Sequence, residues 1–242
     1  HQCYVEVFAG AAWVLFKKPK SKAEILNDIN SELVTLYRVV RHHYEEFARS
    51  FELMLTSRDE YDRMKSVDPA TLTDIQRATR FYYLIKNSFG SKIESISFNV
   101  TTTKNPRITR KAIEQDLLNA HKRLELVQIE NKPFKYIIER YNKPHVFMYI
   151  DPPYWDCESY YGKGIFNRQD FTVLRDLLSN LKGKFIMSIN DVPEIREMYK
   201  QFHIREAPVT YTFGGADKSV KVGELLIMNY VPEDVQLAYP NY

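Results

Sequence analysis

Apolar positions along the chain fall into two alternating patterns: short continuous or period-two runs, and longer segments with helical spacing. Residues 3–8 form the first run and end in Ala9-Gly10-Ala11-Ala12, which predicts a strand, a small-residue turn and a helix over 13–17. Residues 23–26 read as a second strand, closed by Asn27-Asp28-Ile29-Asn30. Asn30 or Ser31 can cap a long helix whose apolar side carries Leu33, Leu36, Tyr37, Val40, Tyr44, Phe47, Phe51 and Met54.

Between residues 56 and 123 the pattern turns polar and basic, without strong strand signals. A helix is predicted from Thr73-Asp74, with Ile75, Ala78, Phe81, Leu84 and Ile85 on its buried side. Residues 99–109 are loop-rich, and a further helix is predicted over 111–126. Strands and helices then alternate again: strands over 126–130, 146–150 and 185–189, and a helix over 134–141. Asp170 is placed to cap a helix ending near Leu181, with Gly183 as its stop. Pro193 fits the first turn of a helix after Asp191. Strands over 209–213 and 221–230 flank Gly214-Gly215 as a late antiparallel hairpin.

Such alternation predicts an α/β fold: a mostly parallel, Rossmann-like sheet with helices on both faces and a smaller, mainly helical insertion. Residues 1–55 and 124–242 would form the sheet domain and 56–123 the insertion. The turns after the strands should gather at one sheet edge, where open parallel sheets bind ligands.

Composition narrows the class. The chain has 242 residues, 44% hydrophobic and 27% charged, as expected of a folded domain. No apolar run approaches the length of a membrane span. Two cysteines, Cys3 and Cys157, cannot build a disulfide framework, so a reducing, cytoplasmic setting is expected. The chain opens on His1 rather than Met, and a preceding segment is expected.

The net charge of +3 is distributed unevenly. Residues 77–111 carry eight basic side chains against the single acid Glu94, a local +7 opposed to −4 elsewhere. That asymmetry is the footprint of a polyanion-binding segment, although a merely solvated basic face would look the same.

Asp151-Pro152-Pro153-Tyr154 is the most specific chemistry-bearing signal. Two prolines end the strand and stiffen the turn. The Pro152 carbonyl and the Asp151 carboxylate then present two fixed acceptors, and Tyr154 offers an aromatic face beside them. A planar base with an exocyclic amine fits that set. The amine is a poor nucleophile because its lone pair is delocalised, and acceptors for its two protons favour a more tetrahedral nitrogen. Inside a duplex it would be unreachable, so the base must be flipped out. Residues 8–11 sit where a strand meets a helix start, which suits a polar ligand end. Asp28 is placed for ribose hydroxyls, or alternatively as a helix cap. His42-His43 diverge around a helix and no other histidine has ligand spacing, so no metal is expected.

This tetrad at a strand end resembles the catalytic motif of S-adenosylmethionine-dependent adenine-N6 DNA methyltransferases of the Dam-like, phage-type class. Tyr4-Val5-Glu6-Val7-Phe8-Ala9-Gly10 is similar to the first motif of that class and residues 26–30 to its second. Arg77-Ala78 with residues 80–84 resembles its insertion, and residues 183–191 and 224–230 its later strands. The resemblance is collinear from Tyr4 to Tyr230. It implies Asp151, Pro152, Pro153 and Tyr154 as catalytic residues. For S-adenosylmethionine it implies Glu6, Phe8, Ala9, Gly10, Ala11, Asp28, Asn131, Phe134 and Asp151. For double-stranded DNA it implies Arg77, Arg80, Tyr82, Lys104 and Arg107, in a bacterial or phage-encoded protein that is a monomer or weak dimer.

The chain departs from the pattern in three places. Its first loop has alanines where the class has glycines. Asn131-Lys132-Pro133-Phe134 lacks the acid that usually precedes Phe and holds the cofactor's adenine amine, so Asn131 or a backbone carbonyl must substitute. The Gly- and Lys-containing segment of the class does not precede His1. Transfer to RNA or to a cytosine amine remains open, as does a decayed, non-catalytic DNA-binding protein. Duplex DNA against RNA as substrate separates the first, and cofactor binding by calorimetry the second.

Overall fold

The computed structural model describes residues 1–52, 54–88, 110–158, 164–212 and 219–233. Within them lies a seven-stranded sheet of β1 (Cys3–Glu6), β2 (Ala23–Asn27), β3 (Val127–Glu130), β4 (Val146–Ile150), β5 (Lys184–Asn190), β6 (His203–Thr212) and β7 (Ser219–Met228). The strand order is β3-β2-β1-β4-β5-β7-β6. The pairs from β3 through β5 are parallel, and β7 runs antiparallel to both β5 and β6. The order reverses between β1 and β4, so the turns leaving these adjacent strands open side by side.

Side-chain alternation explains why both sheet faces are covered. Cys3, Val5 and Val7 with Met148 and Ile150 of β4 face a cluster completed by α7 (Phe134–Arg140), α8 (Arg168–Ser179) and α9 (Pro193–Met198). Tyr4, Leu26, Phe147 and Tyr149 point the other way. They meet α1 (Trp13–Lys17), α2 (Ser31–His42), α3 (Tyr44–Arg49) and three further helices: α4 (Arg58–Ser66), α5 (Asp74–Asn87) and α6 (Arg110–Leu124). The described helices between residues 56 and 123 therefore share the core of this face: Tyr61, Ala78, Tyr83, Leu84, Leu117 and Leu124 are all buried in it. Glu24 of β2, 5% exposed, fastens α6 to the sheet through Arg123 and the end of α1 through Lys18, both at 2.5 Å. Burial pushes its carboxyl up, but the hydrogen bonds from Arg123 and Lys18 prevail and hold it at about 2.

The structure alters three predicted elements. The single helix expected from Ser31 to Met54 is two, because His43 leaves helical geometry (φ −139°, ψ 37°). The break redirects the chain so that Phe47 and Phe51 pack edge-to-face in the core. Asn167, not Asp170, caps α8; Asp170 returns the bond to the Asn167 N–H as the second half of a capping box. Gly183 does not end that helix, which stops at Ser179. A Cβ there would lie 2.3 Å from the Val146 carbonyl oxygen, so close backbone approach demands glycine. Finally, β6 begins at His203 instead of 209; its first residues are polar and half exposed on an edge strand, which hid them from an apolar criterion.

Candidate active site

The turn after β1 is built around two left-handed residues, Gly10 (φ 48°) and Ala12 (φ 52°). A Cβ on Gly10 would meet nothing within 4 Å, so the backbone there borders open space. Ala12 holds a conformation that ordinarily costs an L-residue about 1–2 kcal/mol. It is buried and starts α1 without a capping side chain. Glu6 supplies the missing acceptor from inside the sheet: its Oε2 takes the Leu15 N–H at 3.2 Å. Glu6 is 1% exposed, and burial pushes its carboxyl up to about 8. Among the residues predicted to hold a cofactor, Glu6 thus lies beneath the loop rather than at its rim.

Asp28, at the end of β2, joins the two neighbouring turns. Its Oδ2 accepts the Gly10 N–H at 3.0 Å and its Oδ1 the Asn30 N–H at 2.8 Å. Burial pushes the Asp28 carboxyl upward against those bonds. It is not the helix cap; Asn30 is, accepting from Glu32 and Leu33. Asn131 joins the same cluster, its Nδ2 donating to the carbonyls of Asp28 (2.7 Å) and Ile29 (3.0 Å). Beside them Phe8, Phe134 and Phe166 stand with ring centres 5.6–5.9 Å apart. Asn27, unremarkable by sequence, is fully buried and ties three segments together. It donates to the carbonyls of Val7 and Lys132 and accepts the Lys132 N–H.

β4 delivers the tetrad next to this cradle. The Val7 N–H bonds the Tyr149 carbonyl at 3.1 Å, so the two strand ends are in register. Pro152 and Pro153 are buried, while Asp151 reaches solvent. Desolvation of the Asp151 carboxyl by the surrounding turn and then the charge of Glu224 push it up to about 7. Tyr154 donates its hydroxyl to Glu224 Oε1 at 2.9 Å. The turn is pinned behind Tyr154 by Trp155 and Asn190, which exchange two hydrogen bonds of 2.9 and 3.2 Å. Arg168 lies 3.7 Å above the Trp155 ring, and Phe171 packs against that ring. Trp155 therefore braces the loop.

The DNA-contact candidates separate into two groups. Arg77 binds the Glu32 carboxylate through Nε at 3.1 Å and through Nη2, and Arg80 reaches the same carboxylate at 3.6 Å and the Met64 carbonyl at 2.7 Å. Both arginines hold α5 against α2. Tyr82 packs on Phe47 and Phe51, and burial pushes its hydroxyl up to about 12. These three are half-buried and engaged within the protein, the arginines by Glu32 and Tyr82 by the Phe47–Phe51 pair. Lys104 and Arg107 lie outside the described residues. Among the described residues, no helix is long and apolar enough to cross a membrane. Nor do they hold a group of three or more His, Cys, Asp or Glu side chains suited to a metal.

Two turns at the switch point, one cradle-like and one bearing Asp-Pro-Pro-Tyr, agree with comparison to known proteins. Residues 1–213 match the family of D12 class N6 adenine-specific DNA methyltransferases. The chain belongs to that family. It is a DNA methyltransferase specific for adenine, and its class draws the methyl group from S-adenosylmethionine. The methyltransferase is 28% identical to the Type II methyltransferase M.CviBI of Paramecium bursaria Chlorella virus NC1A, over 94% of this chain and 89% of that protein. It is also 28% identical to M1.LlaDCHI of Lactococcus lactis subsp. cremoris, over 94% and 86%. The corresponding figures for M.MjaIII of Methanocaldococcus jannaschii are 27%, 94% and 88%.

Proposed function

We propose that this methyltransferase acts on an adenine flipped out of duplex DNA, with Asp151, the Pro152 carbonyl and Tyr154 as the residues that meet the base. The observation that carries this reading is the juxtaposition of the two turns: Asp151 closes β4 immediately beside the Gly10–Asp28 cradle at the strand-order reversal. The bound cofactor supplies an electrophilic methyl group on a sulfonium. The residues around the cradle fit it. Open space at Gly10 admits its methionine end, Asp28 keeps lone pairs for ribose hydroxyls, and Phe8 and Phe134 offer flat apolar contact for its adenine. Asn131 replaces the usual acid: with Nδ2 bound to loop carbonyls, Oδ1 supplies an acceptor for the adenine amine.

Asp151 and the Pro152 carbonyl accept the two N6 protons of the target base, and Tyr154 stacks on its ring. Attack of the N6 lone pair on that methyl group would leave the C–S electron pair with sulfur, and Asp151 would take the surplus N6 proton. A carboxyl held near 7 suits that transfer at neutral pH. The relatives' Type II designation supports a role in restriction–modification, in the cytoplasm of the host cell. Residues 56–123 would recognise the target sequence. Methylating duplex DNA with labelled cofactor and resolving the nucleosides by mass spectrometry tests this. N6-methyladenine is expected; label in cytosine, or in RNA alone, would refute the reading.

A further inference from the structure

We infer that Glu224, carried by the antiparallel strand β7, is the positioning residue of the catalytic turn, fixing Tyr154 against the buried end of β5. This rests on the reading above.

Glu224 stands at the first residue of an apolar stretch, Glu224-Leu225-Leu226-Ile227-Met228, where a carboxylate has no packing role. β7 pairs Glu224 with Asn190 of β5, the residue whose side chain holds the Trp155 backbone. One oxygen, Oε1, accepts both the Tyr154 hydroxyl and the Ser188 hydroxyl. Ser188 is buried within β5, so Glu224 is anchored on its inner side and reaches the turn with the other bond. Three chain segments thus converge on one carboxylate oxygen. An aromatic ring that must stack on a base loses rotational freedom when its far end is tethered, and less ordering remains for the substrate to impose.

The charge acts through space. Groups facing Asp151 are Glu6 from β1, Tyr149 from β4 and Glu224 from β7; Lys18 acts on Glu6. Glu224 raises the Asp151 carboxyl after desolvation has done so. The base must be ionised to accept the N6 proton, so activity rises with pH through the Asp151 transition. Removing the Glu224 charge lowers that transition and moves the acid limb to lower pH.

The test compares the parent with Glu224→Ala, Glu224→Gln, Tyr154→Phe and the Tyr154→Phe/Glu224→Ala double variant, by single-turnover methyl transfer to duplex DNA from pH 5 to 9. Glu224→Ala should lower the single-turnover rate on the order of tenfold or more while keeping cofactor affinity by calorimetry, a control for folding. Glu224→Gln, which preserves an acceptor without charge, should recover most of that rate and shift the acid limb downward by at least about half a pH unit. The double variant should be no slower than Glu224→Ala, because both changes cut one contact. A Glu224→Ala enzyme with the parental single-turnover rate, or a Gln variant with an unmoved acid limb, would overturn the inference. If Glu224→Ala fails to fold, the Gln limb and the Tyr154→Phe rate decide it alone. A parent without adenine methylation would overturn the reading and the inference together.

Discussion

The backbone N–H of Gly10 donates to Asp28 Oδ2 at 3.0 Å, which locks the turn after β1 to the turn after β2. A single carboxylate thereby shapes both walls of the cradle proposed for the cofactor. Asp28→Ala should weaken S-adenosylmethionine binding roughly tenfold or more, since hydrogen bonds to a charged group contribute about 1.5–3 kcal/mol. Asp28→Asn should lose less, because its Oδ1 still accepts one of the two N–H groups. Calorimetry on the three proteins checks the ranking; equal affinity in all three would remove Asp28 from the cradle.

Tyr154 is expected to act through its ring face and its hydroxyl together. Stacking of a base on an aromatic side chain contributes on the order of 1–3 kcal/mol. Tyr154→Ala should therefore lose most activity. Tyr154→Phe keeps the face but releases Glu224, so its rate should fall between the parent and the Ala variant. Methyl-transfer rates on duplex DNA give the order, and identical rates for Phe and Ala would make Tyr154 a packing residue.

Glu6 predicts a pH dependence of stability. Its carboxyl stands at about 8 in the folded protein against 4.5 as a free group, so folding favours the protonated form. That contribution is complete below about pH 4.5 and is lost as pH rises through 8. Glu6→Gln keeps an acceptor for the Leu15 N–H and does not titrate. The variant should match the parent near pH 5 and exceed it by up to about 3 kcal/mol at pH 7. Thermal melts across that range decide it: a variant less stable than the parent at pH 8 would contradict the assignment.

The alternation of apolar runs was enough to place the five parallel strands, because each is short, buried and followed by a turn with few alternatives. The Asp-Pro-Pro-Tyr turn was equally legible, since two prolines allow little else after a buried strand. What the sequence did not show depends on partners distant in the chain. Glu224 and Tyr154 are 70 positions apart, and Arg77 and Glu32 are 45 apart. Charge counting placed Arg77 and Arg80 on a DNA face, whereas Glu32 across the α2–α5 contact binds them. Asn27 read as an ordinary loop residue, because only the fold brings Val7 and Lys132 to its two ends.

The basic stretch can be divided accordingly. Arg77→Gln and Arg80→Gln should destabilise the protein by on the order of a few kcal/mol, because half-buried Glu32 would lose its partners. Their effect on the salt dependence of DNA affinity should be small. If Lys104 and Arg107 meet phosphates, each change to Gln should lower the salt slope by about one unit. Duplex affinities from low to moderate salt, beside melting curves, separate the two classes; a parental slope in the Lys104/Arg107 variant would place DNA elsewhere.

In the proposed mechanism Asp151 acts on the target amine and not on the cofactor or the fold. Asp151→Ala should bind S-adenosylmethionine within a few-fold of the parent by calorimetry, melt near the parental temperature and transfer no methyl group to adenine in duplex DNA. Methyl transfer at a rate near the parent's in that variant would contradict the account.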